Sequence, residues 1–134
     1  MTLAEILIDA LSRSRERFDR AFDGVTVEQA NTPPVPDIAP RTNSLTWLAW
    51  HTAREIDLQI SLMAGQEFVW FTGGHRERFD LPLPDDTQDW RHTPEEAAQV
   101  VVDDLSVLTA YLDDAYAMAY GYMRSLAPER LDDI

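Results

Sequence analysis

The chain has 134 residues, enough for one domain with a hydrophobic core, and 45% of them are apolar. Acidic residues outnumber basic ones by 24 to 11, and the formal net charge of -13 excludes a basic nucleic-acid surface and disfavours docking on an anionic membrane. The absence of cysteine and lysine excludes disulfides, a protein thiolate and Schiff-base chemistry. With no signal-peptide pattern and no long apolar run, we expect a cytoplasmic protein.

The first predicted element is a helix over about 2–23, in which apolar residues recur at helical spacing. Thr2 is a suitable N-cap, and Gly24 is suited to the left-handed turn that ends many helices. A capping-box pattern over 26–29 then predicts one short helical turn. Three prolines within 33–36 cannot lie in a helix interior, so an extended linker follows.

The second long helix is predicted over about 43–65, with Asn43 or Ser44 as its cap. Its apolar residues form two neighbouring stripes, which indicates packing against several neighbours. The segment 66–92 is rich in glycine, proline and aspartate and is predicted to be a long loop. Because its aromatic residues would pack onto the bundle, a small-molecule pocket without metal beneath this loop is one interpretation.

The third long helix is predicted over about 93–126. The sequence Thr93-Pro94-Glu95-Glu96 combines a threonine cap, proline at the first helical position and a capping-box glutamate. Apolar residues then follow in steps of three and four, the spacing of helix-bundle packing. The predicted seam consists of Val101, Leu105, Leu108, Leu112, Ala115, Ala119, Tyr122 and Leu126.

His51 is the histidine best placed for chemistry, because Glu55 follows it by one helical turn on the same face. This spacing suits two ligands of a divalent metal. Glu55 could equally orient the His51 ring, and Asp57 lies within two turns as a further neighbour. The alternative is a structural histidine at the edge of the core that is bonded to a local acid.

A longer segment around His51 resembles the second helix of the DinB-like superfamily. Its sequence is Asn43-Ser44-Leu45-Thr46-Trp47-Leu48-Ala49-Trp50-His51-Thr52-Ala53-Arg54. The branch that it resembles is that of the mycothiol-dependent maleylpyruvate isomerase-like proteins of actinobacteria. Two later stretches resemble the same branch, Gly73-Gly74 through Arg78-Phe79-Asp80-Leu81-Pro82 and His92-Thr93-Pro94-Glu95-Glu96. The resemblance covers essentially all of 1–134 and implies one all-α domain, an up-down-down-up DinB-like helical bundle that is often dimeric.

The resemblance also implies a divalent metal, zinc or nickel, held by three ligands. One ligand corresponds to His51, and the other two belong to a His/Glu-x-x-x-His element on a fourth helix. This sequence has no such element after His92, so only three of the four long helices are expected. Relatives often carry an acid followed by histidine where this chain has Leu58 and Gln59. The sequence is therefore either part of a longer protein or a short member that has lost metal chemistry.

The resemblance leads to the expectation of a metal-binding DinB-like domain related to thiol-dependent transferases and isomerases. In such relatives the metal activates a small-molecule thiol, mycothiol or a similar compound, which would be a partner together with the substrate. The incomplete ligand set leaves open whether this chain is an enzyme. The alternative is a non-catalytic, dimerising helical bundle without metal, in which His51 is structural. In either case the spare apolar faces need cover, and we expect a homodimer.

Overall fold

The computed structural model describes residues 1–133, with side chains described as far as residue 130. The regular elements in this part of the chain are all helices, and no strand occurs among them. In chain order they are α1 (Leu3–Phe22), α2 (Val27–Asn31), α3 (Leu45–Ala64), α4 (Val69–Thr72), α5 (His75–Phe79), a 3₁₀ helix (Asp89–Arg91), α6 (Pro94–Ala97), α7 (Leu105–Ser125) and a second 3₁₀ helix (Pro128–Asp133). The expected all-α fold with three long helices is confirmed by α1, α3 and α7.

The helix ends follow the capping signals of the sequence. Thr2, Thr26 and Thr93 each form a capping box. The threonine hydroxyl accepts the backbone N–H of the residue three positions later, and the Glu or Gln side chain of that residue accepts the backbone N–H of the threonine. Ser44 caps α3, and its hydroxyl accepts the Trp47 N–H at 3.0 Å. These caps fix where the long helices begin, and so fix which residues of α3 face the core.

The prediction of one helix over 93–126 is wrong, because the chain is not helical over 98–104 and forms the separate helices α6 and α7. Three consecutive β-branched valines disfavour helix in this segment. The Asn31 side chain also donates to the Val102 carbonyl at 2.7 Å and accepts its N–H at 3.2 Å, so that backbone has partners outside a helix. Val101, expected in the buried seam, is exposed.

Helix α7 begins after Asp104, whose carboxylate accepts the Ser106 N–H at 2.8 Å. The predicted seam is fully buried in its central part, at Leu108, Leu112, Ala115 and Ala119. Tyr111 and Tyr116 are buried as well, so α7 is covered on more than one side. It is the central helix, against which both α1 and α3 pack.

The segment expected to be a loop over 66–92 contains three short helices, α4, α5 and the 3₁₀ helix Asp89–Arg91. The glycine pair inside it turns the chain between α4 and α5, with Gly74 in the left-handed region at φ 69°. Trp70 and Phe79 anchor the segment in the core, where their rings lie 5.1 Å apart. The packing of these aromatic side chains thus orders a segment whose polar and glycine-rich sequence predicted a loop.

Helix α1 runs antiparallel to α7. Arg15 forms an ion pair with Asp113 at 2.6 Å, whereas the earlier residue Leu11 shares a groove with the later residue Ala119. An increase in residue number along α1 therefore corresponds to a decrease along α7.

Helix α3 runs parallel to α7. The Tyr111 hydroxyl donates to Asp57 at 2.9 Å, and the later residue Met63 lines a pocket with the later residue Tyr122. The three long helices therefore have an up-down-down order. Within the described part of the chain, no helix is long and apolar enough to cross a membrane.

Candidate metal site

His51 lies in the third turn of α3 and pairs with a carboxylate from a distant part of the chain. Its Nδ1 lies 2.5 Å from Oδ2 of Asp89, the first residue of the 3₁₀ helix. The Asp89 side chain is fully buried, whereas the His51 ring is partly exposed. The buried carboxylate of Asp89 thus contacts the inner nitrogen of the His51 ring, and the ring itself extends towards the surface.

Arg54 holds the segment that carries Asp89. Its Nη2 donates to the carbonyls of Asp85 at 2.9 Å and Thr87 at 3.0 Å, and its Nε lies 3.5 Å from Asp89 Oδ1. The buried guanidinium also lies over the Trp50 ring, 5.6 Å from the centroid. Because these contacts tie residues 85–89 to α3, they fix the approach of Asp89 to His51.

Glu55 completes a group of three potential metal-ligating side chains. One ring nitrogen of His51 and one carboxylate oxygen each from Glu55 and Asp89 lie within 4.8 Å of one another, the one such group found within residues 1–133. Glu55 Oε2 accepts from the Gln59 amide at 3.1 Å. Glu55 Oε1 is buried without a hydrogen-bond partner among the described residues, whereas Asp89 Oδ1 has no hydrogen bond there but forms the ion pair with Arg54.

A buried oxygen without a hydrogen-bond donor lowers the stability of the fold by about 1–3 kcal/mol, and by more when the group is charged. A divalent cation next to an imidazole nitrogen would satisfy such oxygens, since nitrogen and oxygen donors are the ligands that zinc takes from histidine and glutamate. His51 and Glu55, with Asp89 bonded to the histidine ring, therefore fit a divalent metal ion.

Asp57, expected as a further neighbour of the metal, is not part of this group. Its Oδ1 accepts the Ser61 hydroxyl at 3.0 Å and the Val69 N–H at 2.9 Å. Its Oδ2 accepts the Trp70 N–H and the Tyr111 hydroxyl, each at 2.9 Å. With four donors around one buried carboxylate, Asp57 holds the start of α4 against α3 and α7.

An aromatic wall stands beside His51. It consists of Trp47, which stacks on the His51 ring at 4.5 Å, and of His92, which stacks on Trp50 at 5.8 Å. The Trp47 indole N–H donates to His92 Nδ1 at 3.1 Å, and His92 Nε2 lies 2.8 Å from the Thr87 hydroxyl oxygen.

The indole nitrogen of Trp47 can only donate, so Nδ1 of His92 must be unprotonated. The neutral ring then carries its proton on Nε2, which donates to Thr87. Desolvation by burial lowers the pKa of His92, which favours the same neutral form. The sequence placed His92 next to the cap of α6 without revealing this link to the neighbourhood of His51.

A second histidine–carboxylate pair joins α5 to α7. His75 is fully buried, and its Nε2 lies 2.6 Å from Oδ2 of the exposed Asp114. The ring packs on Tyr111 at 4.9 Å. Gly73 is in close contact with the same ring, because a Cβ at this position would lie 2.7 Å from His75 Nε2. His75 therefore packs between α4, α5 and α7 and is remote from solvent.

Asp89 and Arg54 are the site residues that sequence reasoning missed. Asp89 is 38 residues from His51 and lies in a segment without periodicity. The arginine was visible on the predicted helix, but nothing in the sequence indicates that its partners are two carbonyl groups.

Comparisons with known proteins agree with this fold. A family model of the DinB superfamily matches residues 10–134. The crystal structure of a conserved protein from Enterococcus faecalis is 43% identical and superposes with a TM-score of 0.87. That match covers 98% of this chain and 75% of the other. No curated protein matches significantly, and neither match singles out the maleylpyruvate isomerase-like branch.

Proposed function

The chain belongs to the DinB superfamily, and we propose that it binds a divalent metal ion, zinc or nickel, through His51 and Glu55. The observation that carries this proposal is the buried, unpartnered Oε1 of Glu55 beside a partly exposed histidine. Within a helical protein that has no cysteine, nitrogen and carboxylate oxygen are the donors available for such an ion.

Asp89 positions His51 in this proposal. Its carboxylate accepts the Nδ1 proton, which selects the tautomer with a free lone pair on Nε2. The negative charge of a buried carboxylate also makes the imidazole a better donor to a cation. Arg54 keeps Asp89 in place, so the two act together behind the histidine.

Two protein ligands leave coordination positions open, as catalytic metal sites do. When bound, the metal would supply Lewis acidity that lowers the pKa of a coordinated thiol. Because the chain has no cysteine, such a thiol must belong to a small molecule. Mycothiol or a similar thiol, and transferase or isomerase chemistry, follow from the resemblance around His51 and are part of the proposal.

Calorimetric titration with Zn²⁺ tests the metal site. Wild-type protein is expected to bind one ion, and His51→Ala and Glu55→Gln to bind it at least about tenfold more weakly. Thr52→Ala on the same helix and the exposed Glu67→Gln serve as matched controls that retain wild-type affinity. Wild-type affinity in both site variants, or no saturable binding at all, would contradict the proposal.

We also propose a homodimer, for which the exposed apolar residues of α1 are the specific observation. Leu3, Ile6 and Leu7 are exposed on a helix that has no buried residue. Their stripe leads to a groove of about 160 Å³ that Leu11 and Glu55 both line. A second copy on this stripe would therefore lie beside the metal ligand.

Light scattering after size exclusion tests the dimer. We expect a mass of two chains for wild type and one chain for Ile6→Glu, with Glu16→Arg, on a different face of α1, as the exposed control. A dimer that binds no zinc would favour the non-catalytic alternative, in which His51 is structural. A wild-type monomer would contradict the dimer and leave the metal site unaffected.

A further inference from the structure

An aromatic cavity of about 350 Å³ lies between α3, α4 and the 3₁₀ helix Asp89–Arg91. Leu58 of α3 forms one wall, and Phe68, Phe71 and Trp90 form the others, with Trp70 and Tyr111 deeper in the protein. None of these six side chains carries a formal charge, so this part of the lining suits an apolar molecule. The cavity is also lined by four charged residues, Arg54, Asp57, Asp85 and Asp86.

Two of the large aromatic side chains in this lining are exposed. Trp90 is 63% exposed and Phe71 42% exposed, whereas Trp70, the other tryptophan in the lining, is buried. Phe71 stacks on Phe68 with a centroid distance of 6.3 Å. Exposed aromatic groups around an apolar concavity are a mark of ligand binding, since they are costly to leave in water without a use.

The cavity adjoins the proposed metal ligands. Trp90 directly follows Asp89, and Leu58 lies one turn after Glu55 on the same face of α3. Arg54 lines the cavity and lies 3.5 Å from Asp89. A molecule in the cavity would therefore lie next to the segment that positions His51, close to where a substrate of the metal site would bind.

The charged groups around the cavity favour an uncharged occupant. The Asp57 carboxylate already accepts four hydrogen bonds, and the Arg54 guanidinium donates to two carbonyls next to Asp89. Asp86 also lines the cavity, in a chain with a net charge of -13, and repels an anion, whereas the charge of Asp85, a further lining residue, is paired with Arg76 at 2.8 Å. Arg54, the cationic group of the described lining, is held by its bonds to those two carbonyls and by its ion pair with a buried carboxylate.

The volume sets the size of the occupant. An apolar cavity of about 150 Å³ holds one benzene molecule. The cavity described here has about 350 Å³, room for two fused rings. We propose that it binds a neutral, two-ring aromatic molecule. As a substrate pocket it rests on the proposed metal-dependent function, whereas binding itself requires no metal.

Fluorescence anisotropy of 2-naphthol, titrated with metal-free protein, tests the pocket. We expect saturable binding that Leu58→Trp weakens at least about tenfold, because the larger side chain fills the cavity. Leu62→Trp is the matched control: Leu62 is exposed one turn further along α3, outside the lining, and the variant should bind like wild type. The anion 2-naphthoate should bind more weakly than 2-naphthol.

Absence of saturable binding, or equal effects of the two tryptophan variants, would overturn the pocket. Tighter binding of 2-naphthoate would overturn the uncharged ligand class. Zinc titration of Leu58→Trp separates this proposal from the metal site, since its zinc affinity should equal that of wild type. Loss of 2-naphthol binding in Leu58→Trp, with zinc affinity retained, supports the pocket. If wild-type protein binds no zinc, saturable 2-naphthol binding still supports the pocket, and only its role as a substrate site fails.

Discussion

The two histidine–carboxylate pairs of this protein have opposite arrangements. In the His51 pair the acid is fully buried and the histidine side chain is 27% exposed. In the His75 pair the histidine is fully buried and the acid is 53% exposed. The nitrogen–oxygen distances are similar, 2.5 and 2.6 Å, so distance alone does not distinguish the pairs.

The difference shows which pair can act on a ligand. A histidine that binds metal needs an exposed ring and an acceptor bonded to its other nitrogen; the His51 ring is partly exposed and has Asp89 as that acceptor. The His75 pair turns its histidine into the core, where packing on Tyr111 and Gly73 uses the ring as a space-filling group. The His51 pair is therefore a ligand-binding pair and the His75 pair a packing pair.

The largest stability effect is expected for His75→Ala. Removing a fully buried ring leaves a cavity between α5 and α7, so the free energy of unfolding should fall by about 2–4 kcal/mol. Urea unfolding followed by circular dichroism measures this loss. Zinc affinity should stay at the wild-type value below the unfolding transition, and a tenfold loss of zinc affinity would break the division between the pairs.

Asp89→Asn is expected to weaken zinc binding by about 10- to 100-fold, the usual effect of removing a carboxylate behind a metal-bound histidine. The amide keeps the size of the side chain but loses the charge that faces His51 and Arg54. Calorimetry measures the affinity, with Asp114→Asn as the control from the other pair. Unchanged affinity in Asp89→Asn would show that the buried acid does not support the ligand.

The pH dependence of stability should report on His92, which holds Trp47 against His51. Burial lowers the pKa of His92 below the ordinary value of 6.5. The pKa of His92 is therefore higher in the unfolded chain than in the folded protein, and between these two values the unfolded chain binds the proton more readily. The contribution of neutral His92 to stability is complete above the unfolded pKa and is lost as the pH falls through the folded pKa.

Thermal unfolding between about pH 7 and about pH 5 measures this contribution. The stability of wild type should fall more steeply than that of His92→Gln, in which the group no longer titrates. Equal slopes for the two proteins would show that the neutral His92 ring does not contribute to stability.

The smallest effect is expected for Asp114→Asn, which should change the free energy of unfolding by less than about 1 kcal/mol. The acid is exposed, and an amide oxygen can still accept from the His75 ring. Urea unfolding provides the comparison with His75→Ala. A loss as large as that of the histidine variant would mean that the acid, and not the packing of the ring, stabilises the pair.

Local signals in the sequence were sufficient for α1, α3 and their caps, because capping boxes and apolar periodicity act over a few residues. They failed at 98–104, where partners for the Val102 backbone come from Asn31, far away in the chain. The seam of α7 continued the helical spacing into that segment and concealed the break.

The candidate site was only half predictable for the same reason. His51 and Glu55 are one turn apart on a helix, so spacing alone brought them together. Asp89 reaches His51 only because Arg54 holds two carbonyls of an irregular segment, and such long-range contacts leave no periodic signal. The sequence likewise could not show that the Asp57 carboxylate has four donors and is thereby removed from the metal site.

Nitrogen-15 NMR of the histidine rings during zinc addition is the measurement that tests the central claim most directly. The expected result is a shift of His51 Nε2 to a metal-bound value at one equivalent, with its Nδ1 still protonated towards Asp89 and the His75 ring unchanged. A zinc-dependent shift of His75, or no shift of His51, would contradict the assignment of His51 as the metal ligand.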